Sequence, residues 1–250
     1  MMAQMIRGVL EYQVLAHLVG IWIFLTGGRV KSRGIILNVN NKRITNAVKY
    51  HLFSQKYEIQ EFNLIQKYFQ PNIDVVEFGG GIGFISCIIG KKINPLNKHI
   101  VVEPNPFLLR LLNSNRILNS CSFEILNRAY SSTPGFVTLD VSGPFESSRI
   151  DINSSDTIQI ESITLRDIID QFVLDQFLLI IDIEGAEFDL LKQEFDTLVH
   201  HCPLILIEFH DQGLSRVKFV SKLESAGYST FENGDVYVFT REDGFKPIDV

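Results

Sequence analysis

Four glycines fall within the five residues Gly79–Gly83, inside the run Val75-Val76-Glu77-Phe78-Gly79-Gly80-Gly81-Ile82-Gly83-Phe84. A strand-like apolar segment leads into them, and a helix-like segment, Gly83–Lys91, follows. Glycine at such a junction lets the backbone turn sharply and approach a ligand at distances that a Cβ would forbid. In open α/β sheets the junction lies at the carboxyl edge of the strands, where ligands bind. Two phosphate-binding patterns do not fit. A dinucleotide loop, G-x-G-x-x-G, would put Phe84 where helix–strand packing needs a small residue. A P-loop would require a Lys-Ser or Lys-Thr pair after the last glycine, and the chain has none there.

The pattern acidic-x-G-x-G-x-G is filled completely by Glu77, Gly79, Gly81 and Gly83. A carboxylate at the loop entrance repels a pyrophosphate and attracts a cation. S-adenosylmethionine carries an ammonium and a sulfonium and has no pyrophosphate, so it meets that requirement. The expected cofactor loop therefore comprises Glu77, Gly79, Gly80, Gly81, Gly83 and Phe84, with Glu77 and the glycines at the methionine end. Glu103 lies 20 residues beyond Gly83, in His99-Ile100-Val101-Val102-Glu103-Pro104-Asn105-Pro106. That spacing suits a carboxylate bonding ribose hydroxyls, and Pro104 and Asn105 adjoin it.

Strand-like runs recur at Asp74–Phe78, His99–Glu103, Ser122–Leu126, Phe177–Ile183, Leu204–His210 and Val236–Thr240. Near-continuous aliphatic stretches such as Leu178-Leu179-Ile180-Ile181 are typical of strands covered on both faces. Helical patterns separate them at Pro106–Leu118, Ala186–Val199 and Ser215–Ala226, and Glu58–Phe69 precedes the first. This alternation predicts a doubly wound α/β sheet with right-handed crossovers. Gly34–Val39 and Arg43–Tyr50 read as a hairpin turning at Asn40-Asn41-Lys42. The Ser-, Asp-, Gly- and Pro-rich segment 131–159, with one strand-like run at Phe136–Val141, reads as an insertion on the rim of the domain.

Glu77–Gly83, Val102–Pro106, Asn127-Arg128-Ala129-Tyr130-Ser131 and Ile181-Asp182-Ile183-Glu184-Gly185-Ala186-Glu187 resemble, in order, the motifs of the FkbM-type methyltransferases. Ile207-Glu208-Phe209-His210 is similar to a later strand of that family, and D-x-E-G-x-E is the most specific element. The resemblance implies a seven-stranded, mostly parallel, Rossmann-like methyltransferase sheet with helices on both faces. It also implies S-adenosylmethionine-dependent methylation of an oxygen on a sugar, lipid or secondary metabolite. By the same resemblance Asn127–Ser131, including Arg128 and Ala129, should lie near the adenine. Family members commonly carry Lys two residues before the D-x-E-G aspartate; here that position is Ile180, so no role of that lysine transfers.

Methyl transfer to a hydroxyl needs alignment of the acceptor and removal of its proton. Asp182 and Glu184, at the end of one strand, and Glu208 and His210, at the end of the next, are placed to converge on one mouth. Asp182, Glu184 and His210 are the expected catalytic residues, and Asp182 also contacts the cofactor. Asp182, Glu184, Glu208 and His210 could instead hold a hard divalent cation, but the expectation is a metal-free site. A carboxylate acceptor, such as a peptide C-terminus, would need no base, and a non-catalytic cofactor-binding scaffold is a rival from another class.

The 29 acidic and 23 basic residues leave a net charge of −6, which argues against non-specific nucleic-acid binding. Three dispersed cysteines, Cys87, Cys121 and Cys202, suit free thiols in the cytoplasm rather than a disulfide framework or zinc site. Val14–Leu25 is apolar apart from His17 but shorter than the roughly 20 residues a bilayer span needs. It is read as part of a helical extension, residues 1–33, packed on the domain 34–250 or on a second copy in a homodimer. Weak interfacial membrane contact is the next reading, and a cleaved signal the last, with Glu11 and His17 against it. The partner is expected to be a small-molecule or peptide acceptor, and Gly244–Pro247 could link the chain to a larger enzyme.

Overall fold

A computed structural model describes residues 2–143, 156–210 and 213–241. The chain opens with helix α1 (Met2–Leu25), followed by the antiparallel hairpin β1 (Arg29–Ser32) and β2 (Ile35–Asn38). The hairpin turns at Arg33 and Gly34, whose φ values of 48° and 84° define a two-residue turn with both centres left-handed. It straddles residue 33, where the sequence divides extension from domain. The hairpin expected around Asn40 does not form. Asn41 caps the turn locally by accepting the Arg43 N–H at 2.8 Å. Thr45 then caps α2 (Asn46–Phe53), with Ile44, Val48 and Leu52 at helical spacing on the buried side.

After α3 (Ile59–Tyr68) come β3 (Asp74–Phe78), α4 (Phe84–Gly90), β4 (His99–Val102), α5 (Pro106–Leu118) and β5 (Glu124–Leu126). Two short strands follow, β6 (Ala129–Tyr130) and β7 (Phe136–Asp140), then β8 (Thr157–Ile163) and α6 (Leu165–Phe172). Of the segment read as an insertion, residues 144–155 lie outside the described residues, as does Gly244–Pro247. β6, β8 and β7 form a separate three-stranded sheet on the rim. The chain closes with β9 (Phe177–Ile181), α7 (Glu187–Gln193), α8 (Phe195–His201), β10 (Leu204–Glu208), α9 (Leu214–Ser225), β11 (Tyr228–Asn233) and β12 (Val236–Arg241). The single helix expected over Ala186–Val199 breaks at Glu194, whose buried carboxylate turns aside to accept the Leu165 N–H at 2.9 Å.

The seven-stranded sheet has the order β11-β12-β10-β9-β3-β4-β5. The five strands from β10 to β5 run parallel, and β12 lies antiparallel between β10 and β11. Alternation along the strands builds a core on each face. Val75, Val101, Leu178, Ile180 and Leu206 pack beneath α2 to α5, and Val76, Ile100, Leu179, Ile181 and Ile205 beneath α6 to α9. The fold is thus the doubly wound methyltransferase-type sheet that the sequence predicts. Strand order reverses at β3, which has β4 on one side and β9 on the other, so a crevice opens there at the carboxyl ends.

α1 departs from expectation in length. Its polar residues Glu11, Tyr12 and Gln13 do not stop it, and Gly8–Leu25 is long and apolar enough to cross a membrane. Cys87 and Cys202 are buried and Cys121 half-buried, all as free thiols.

Candidate active site

The glycine loop is shaped by what presses against it. Gly79, at φ 96°, donates its N–H to Val102 O at 2.9 Å, and the Asp182 N–H bonds Phe78 O at 2.9 Å. The two strand ends cross so closely that a Cβ on Gly79 would stand 1.8 Å from the Asp182 carbonyl oxygen. Gly81, at φ 50°, turns its N–H onto Glu103 Oε2 at 2.6 Å, and Gly83, at φ 83°, starts α4. Glu103 Oε1 accepts the Asn105 N–H at 2.7 Å, and the Asn105 side chain caps α5 through the Phe107 N–H. Burial pushes the Glu103 carboxyl up to about 7; the two N–H donors hold it back, and the Glu77 charge adds to the rise. Each Glu103 oxygen keeps lone-pair capacity for a further donor.

These elements surround a cavity of about 250 Å³. Of the residues expected from sequence, Gly79, Gly81, Glu103, Pro104, Ala129, Asp182, Glu184 and His210 line it. Six others do not, and each has a local reason. Glu77 points to the α3–α4 face of β3, where it accepts Ser86 Oγ–H at 2.8 Å and lies 3.2 Å from His99 Nε2. Gly80 packs on Val101, where a Cβ would approach to 2.4 Å, and Gly83 packs on Leu112. Phe84 is buried below Tyr57, edge-on at 5.6 Å between ring centroids. Asn105 is the buried cap of α5, and Arg128 turns outward to an ion pair with Glu161 at 2.9 Å. Glu77, Phe84 and Asn105 position the loop rather than face the cavity. From Asn127–Ser131 the cavity receives Ala129 and Tyr130, while Asn127 ties down the carbonyls of Glu103 and Pro104.

Sequence reasoning missed Tyr57, Leu108 and Leu139 in the cavity wall, and Glu58 and Glu61 behind it. Glu61 carried a legible signal. It shares the buried stripe of α3 with Leu64, Ile65 and Tyr68, an acid at an apolar position. Glu58, Glu61, Glu77, Asp182 and Glu208 surround a second cavity of about 20 Å³, with Ile180 in its wall.

Of these, Glu58, Glu61 and Asp182 hold their protons more tightly than an ordinary carboxyl. Burial lifts Asp182 well above the usual carboxylate range, and the charges of Glu208, Glu184 and Glu61 add to the lift while His210 opposes it. Burial and a hydrogen bond with Glu208 hold Glu61 at about 7, and burial beside Glu61 and Asp182 raises Glu58 likewise. His210 sits among them. Its Nδ1 bonds Glu187 Oε1 at 2.7 Å, and Nε2 lies 3.5 Å from Asp182 Oδ1 and 3.4 Å from Glu184 Oε2. Burial disfavours the imidazolium, but Glu187, Asp182 and Glu184 outweigh it and push His210 up to about 9. His210 is thus protonated at neutral pH, not the poised neutral base that its ordinary value of 6.5 suggests. Glu184 adopts φ 49°, a left-handed conformation costly for a non-glycine residue, and Gly185 follows at φ 104°. Glu187, fully buried, holds this turn by accepting the Gly185 N–H at 3.0 Å. One ligand atom each from Asp182, Glu208 and His210 lies within 4.8 Å of the others, a donor set that a divalent cation would also accept.

A glycine cradle, a ribose-spaced carboxylate and an acidic mouth at the switch point define a nucleoside-binding transferase of the Rossmann-like methyltransferase type. The chain belongs to the FkbM methyltransferase family, whose domain model matches residues 67–247. No curated protein matches at a significant level. Among solved structures it is similar to precorrin-6y C5,15-methyltransferase of Geobacter metallireducens, at 12% identity over 75% of this chain and 89% of that one, TM-score 0.47. It is also similar to a ribosomal protein L11 methylase of Lactobacillus delbrueckii, at 12% identity over 68% and 70%, TM-score 0.38. Aeropyrum pernix fibrillarin, crystallised with S-adenosyl-L-methionine, aligns at 8% identity over 68% and 66%, TM-score 0.40.

The cofactor is S-adenosylmethionine, and the residues present fit it. Glu103 has acceptor capacity for the ribose hydroxyls, and Gly79 and Gly81 allow backbone approach. Leu108, Ala129 and Tyr130 offer apolar wall for a purine, and Asp182 and Glu208 suit a cationic end.

Proposed function

We propose that this methyltransferase acts on an oxygen, the hydroxyl of a sugar or other small natural product, with Asp182, Glu184 and His210 on the acceptor side. The observation that carries this reading is the Glu187–His210 hydrogen bond of 2.7 Å. A fully buried carboxylate on Nδ1 fixes the tautomer and ring orientation and aims Nε2 at the acceptor side, the arrangement that a general base requires. A positive charge brought in by the cofactor lowers the affinity of His210 for its proton, freeing Nε2 to accept the acceptor's proton. Asp182 and Glu184 then stabilise the imidazolium that forms. S-adenosylmethionine, when bound, supplies an electrophilic methyl activated by its sulfonium.

The same acidic mouth disfavours a carboxylate acceptor, and likewise nucleic-acid phosphates, which it would repel. The test is transfer of isotopically labelled methyl from S-adenosylmethionine to an acceptor library, comparing the natural chain with His210→Asn. Labelled O-methyl ethers that vanish in the variant are expected. N- or C-methyl products, a methyl ester, or undiminished turnover in His210→Asn would refute it. Cofactor binding without any turnover would favour the scaffold reading.

A further inference from the structure

Charge is divided unevenly along the chain. Residues 1–57 carry eight Lys and Arg against one acid, Glu11, a net of +7; the remaining 193 carry 15 basic and 28 acidic residues, a net of −13. No Asp or Glu occurs between Glu11 and Glu58. None of these Lys and Arg side chains is among the described residues that line the candidate active site. α1 belongs to it, and only 17% of the apolar stretch Gly8–Leu25 is buried.

The buried part is one narrow stripe. Ala16, Gly20 and Ile23 face the domain, and Gly20 sits so close to α2 that a Cβ would stand 2.2 Å from Asn46 Oδ1. Tyr12 Oη lies 3.0 Å from His51 Nε2, and Trp22 meets Phe53 edge-on at 5.6 Å. Outside the stripe Val14, Leu18, Ile21, Trp22, Phe24 and Leu25 are exposed, Leu25 at 75%. Contiguous apolar surface of this kind marks an interaction site. Beside it, Arg29 and Lys31 point outward from β1, directly after α1, and Lys42 and Lys56 are exposed. Among the described residues none of these four pairs with a carboxylate.

We infer that α1 docks the protein on the surface of an anionic lipid bilayer. The helix lies in the plane of the interface, keeps its narrow stripe on α2 and buries its outer face among the acyl chains. Contacts from Tyr12 to Trp22 hold it along α2, which favours lying in the interface over spanning it. Arg29 and Lys31, on the strand that directly follows α1, then meet the lipid phosphates. A second copy of this chain fits the same face less well, because two segments of like charge would oppose each other.

Co-sedimentation of the full chain with vesicles of phosphatidylcholine, alone and mixed with phosphatidylglycerol, tests this. Binding to the mixed vesicles is expected to exceed binding to the neutral ones and to weaken with salt. Arg29→Gln and Lys31→Gln should each weaken it about fivefold. Trp22→Glu with Phe24→Glu should abolish it, with thermal melting confirming that the variants fold. Equal affinity for both vesicle types, or no vesicle binding, overturns the inference. So does a dimer in analytical ultracentrifugation that Trp22→Glu with Phe24→Glu dissociates. If that double variant does not fold, the lipid comparison and the two Gln variants still decide.

Discussion

Glu187→Gln isolates the interaction that sets the charge of His210. In the natural chain the Glu187 side chain is fully buried, with Oε1 2.7 Å from His210 Nδ1 and both oxygens accepting the Gly185 N–H. Glutamine has nearly the same shape, so the turn at Glu184–Gly185 keeps its filling, but one negative charge disappears. An opposite charge at this range moves a pKa by about 1–3 units. Asp182 and Glu184 stay in place at 3.5 and 3.4 Å and retain part of the rise. The titration of His210 should therefore fall from about 9 by about 1–2 units, still above its ordinary 6.5. The assay is NMR titration of the imidazole Cε1 protons in the cofactor-free protein; the chain holds six histidines, and His210→Asn identifies the resonance. A raised histidine pKa stabilises the fold fully below 6.5, and the contribution is lost as pH rises through about 9. The loss of thermal stability in Glu187→Gln should accordingly be largest at pH 6 and smallest above pH 9. A natural-chain midpoint at or below 6.5, or one that Glu187→Gln leaves in place, would refute the assignment of Glu187 as the group that charges and orients His210.

Gly81→Val should abolish S-adenosylhomocysteine binding measured by calorimetry, with circular dichroism unchanged, because a β-branched residue is strained at φ 50° and crowds the N–H that meets Glu103. Glu61 and Glu103, held at about 7 by burial, retain protons that the unfolded chain has released. Stability of the cofactor-free protein should therefore fall as pH rises from about 4.5 to 7, and Glu61→Gln should flatten that fall in thermal melts. Methyl transfer should survive EDTA, because the sulfonium activates the methyl and His210 is assigned to take the acceptor's proton, which leaves no step that requires a metal ion. Loss on chelation with recovery by magnesium would reassign Asp182, Glu208 and His210 as metal ligands.

What could be read in the sequence was local in character. The aliphatic strands and the glycine loop announce themselves because a doubly covered strand and a crowded turn each admit few residue types. α6 was not among the expected helices, although its capping box, Thr164-Leu165-Arg166-Asp167, is a local signal of the same kind. Glu77, Phe84 and Asn105 matched motif positions yet serve the loop from behind, since a motif gives the position of a residue and not the side to which its side chain turns. Tyr57, Glu58 and Glu61 come from a segment that precedes the motifs and reaches the site only through the packing of α3 on β12 and α4. Pair geometry such as Glu187 on His210 depends on the turn at Glu184, whose left-handed φ no spacing rule requires.

Ile180 connects the family comparison to the electrostatics. The position where the family commonly has Lys lies on β9, in register with Glu77 on one side and Leu206 on the other. Its side chain enters the wall of the small cavity ringed by Glu58, Glu61, Glu77, Asp182 and Glu208. Among the described residues no ammonium lines this cavity, and the raised proton affinity of Glu58, Glu61 and Asp182 limits the repulsion there. Ile180→Lys should therefore have an effect whose size depends on pH. At pH 5.5 Glu61 keeps its proton, so an ammonium buried in place of Ile180 gains little from it; incompletely paired buried charges cost up to about 3–5 kcal/mol. At pH 8.5 Glu61 would ionise beside it, so the destabilisation should shrink or reverse. Thermal melts of the natural chain and Ile180→Lys at the two pH values measure this directly. A destabilisation equal at both would show that Glu61 does not respond to charge at that position, and the account of its raised proton affinity would fail with it.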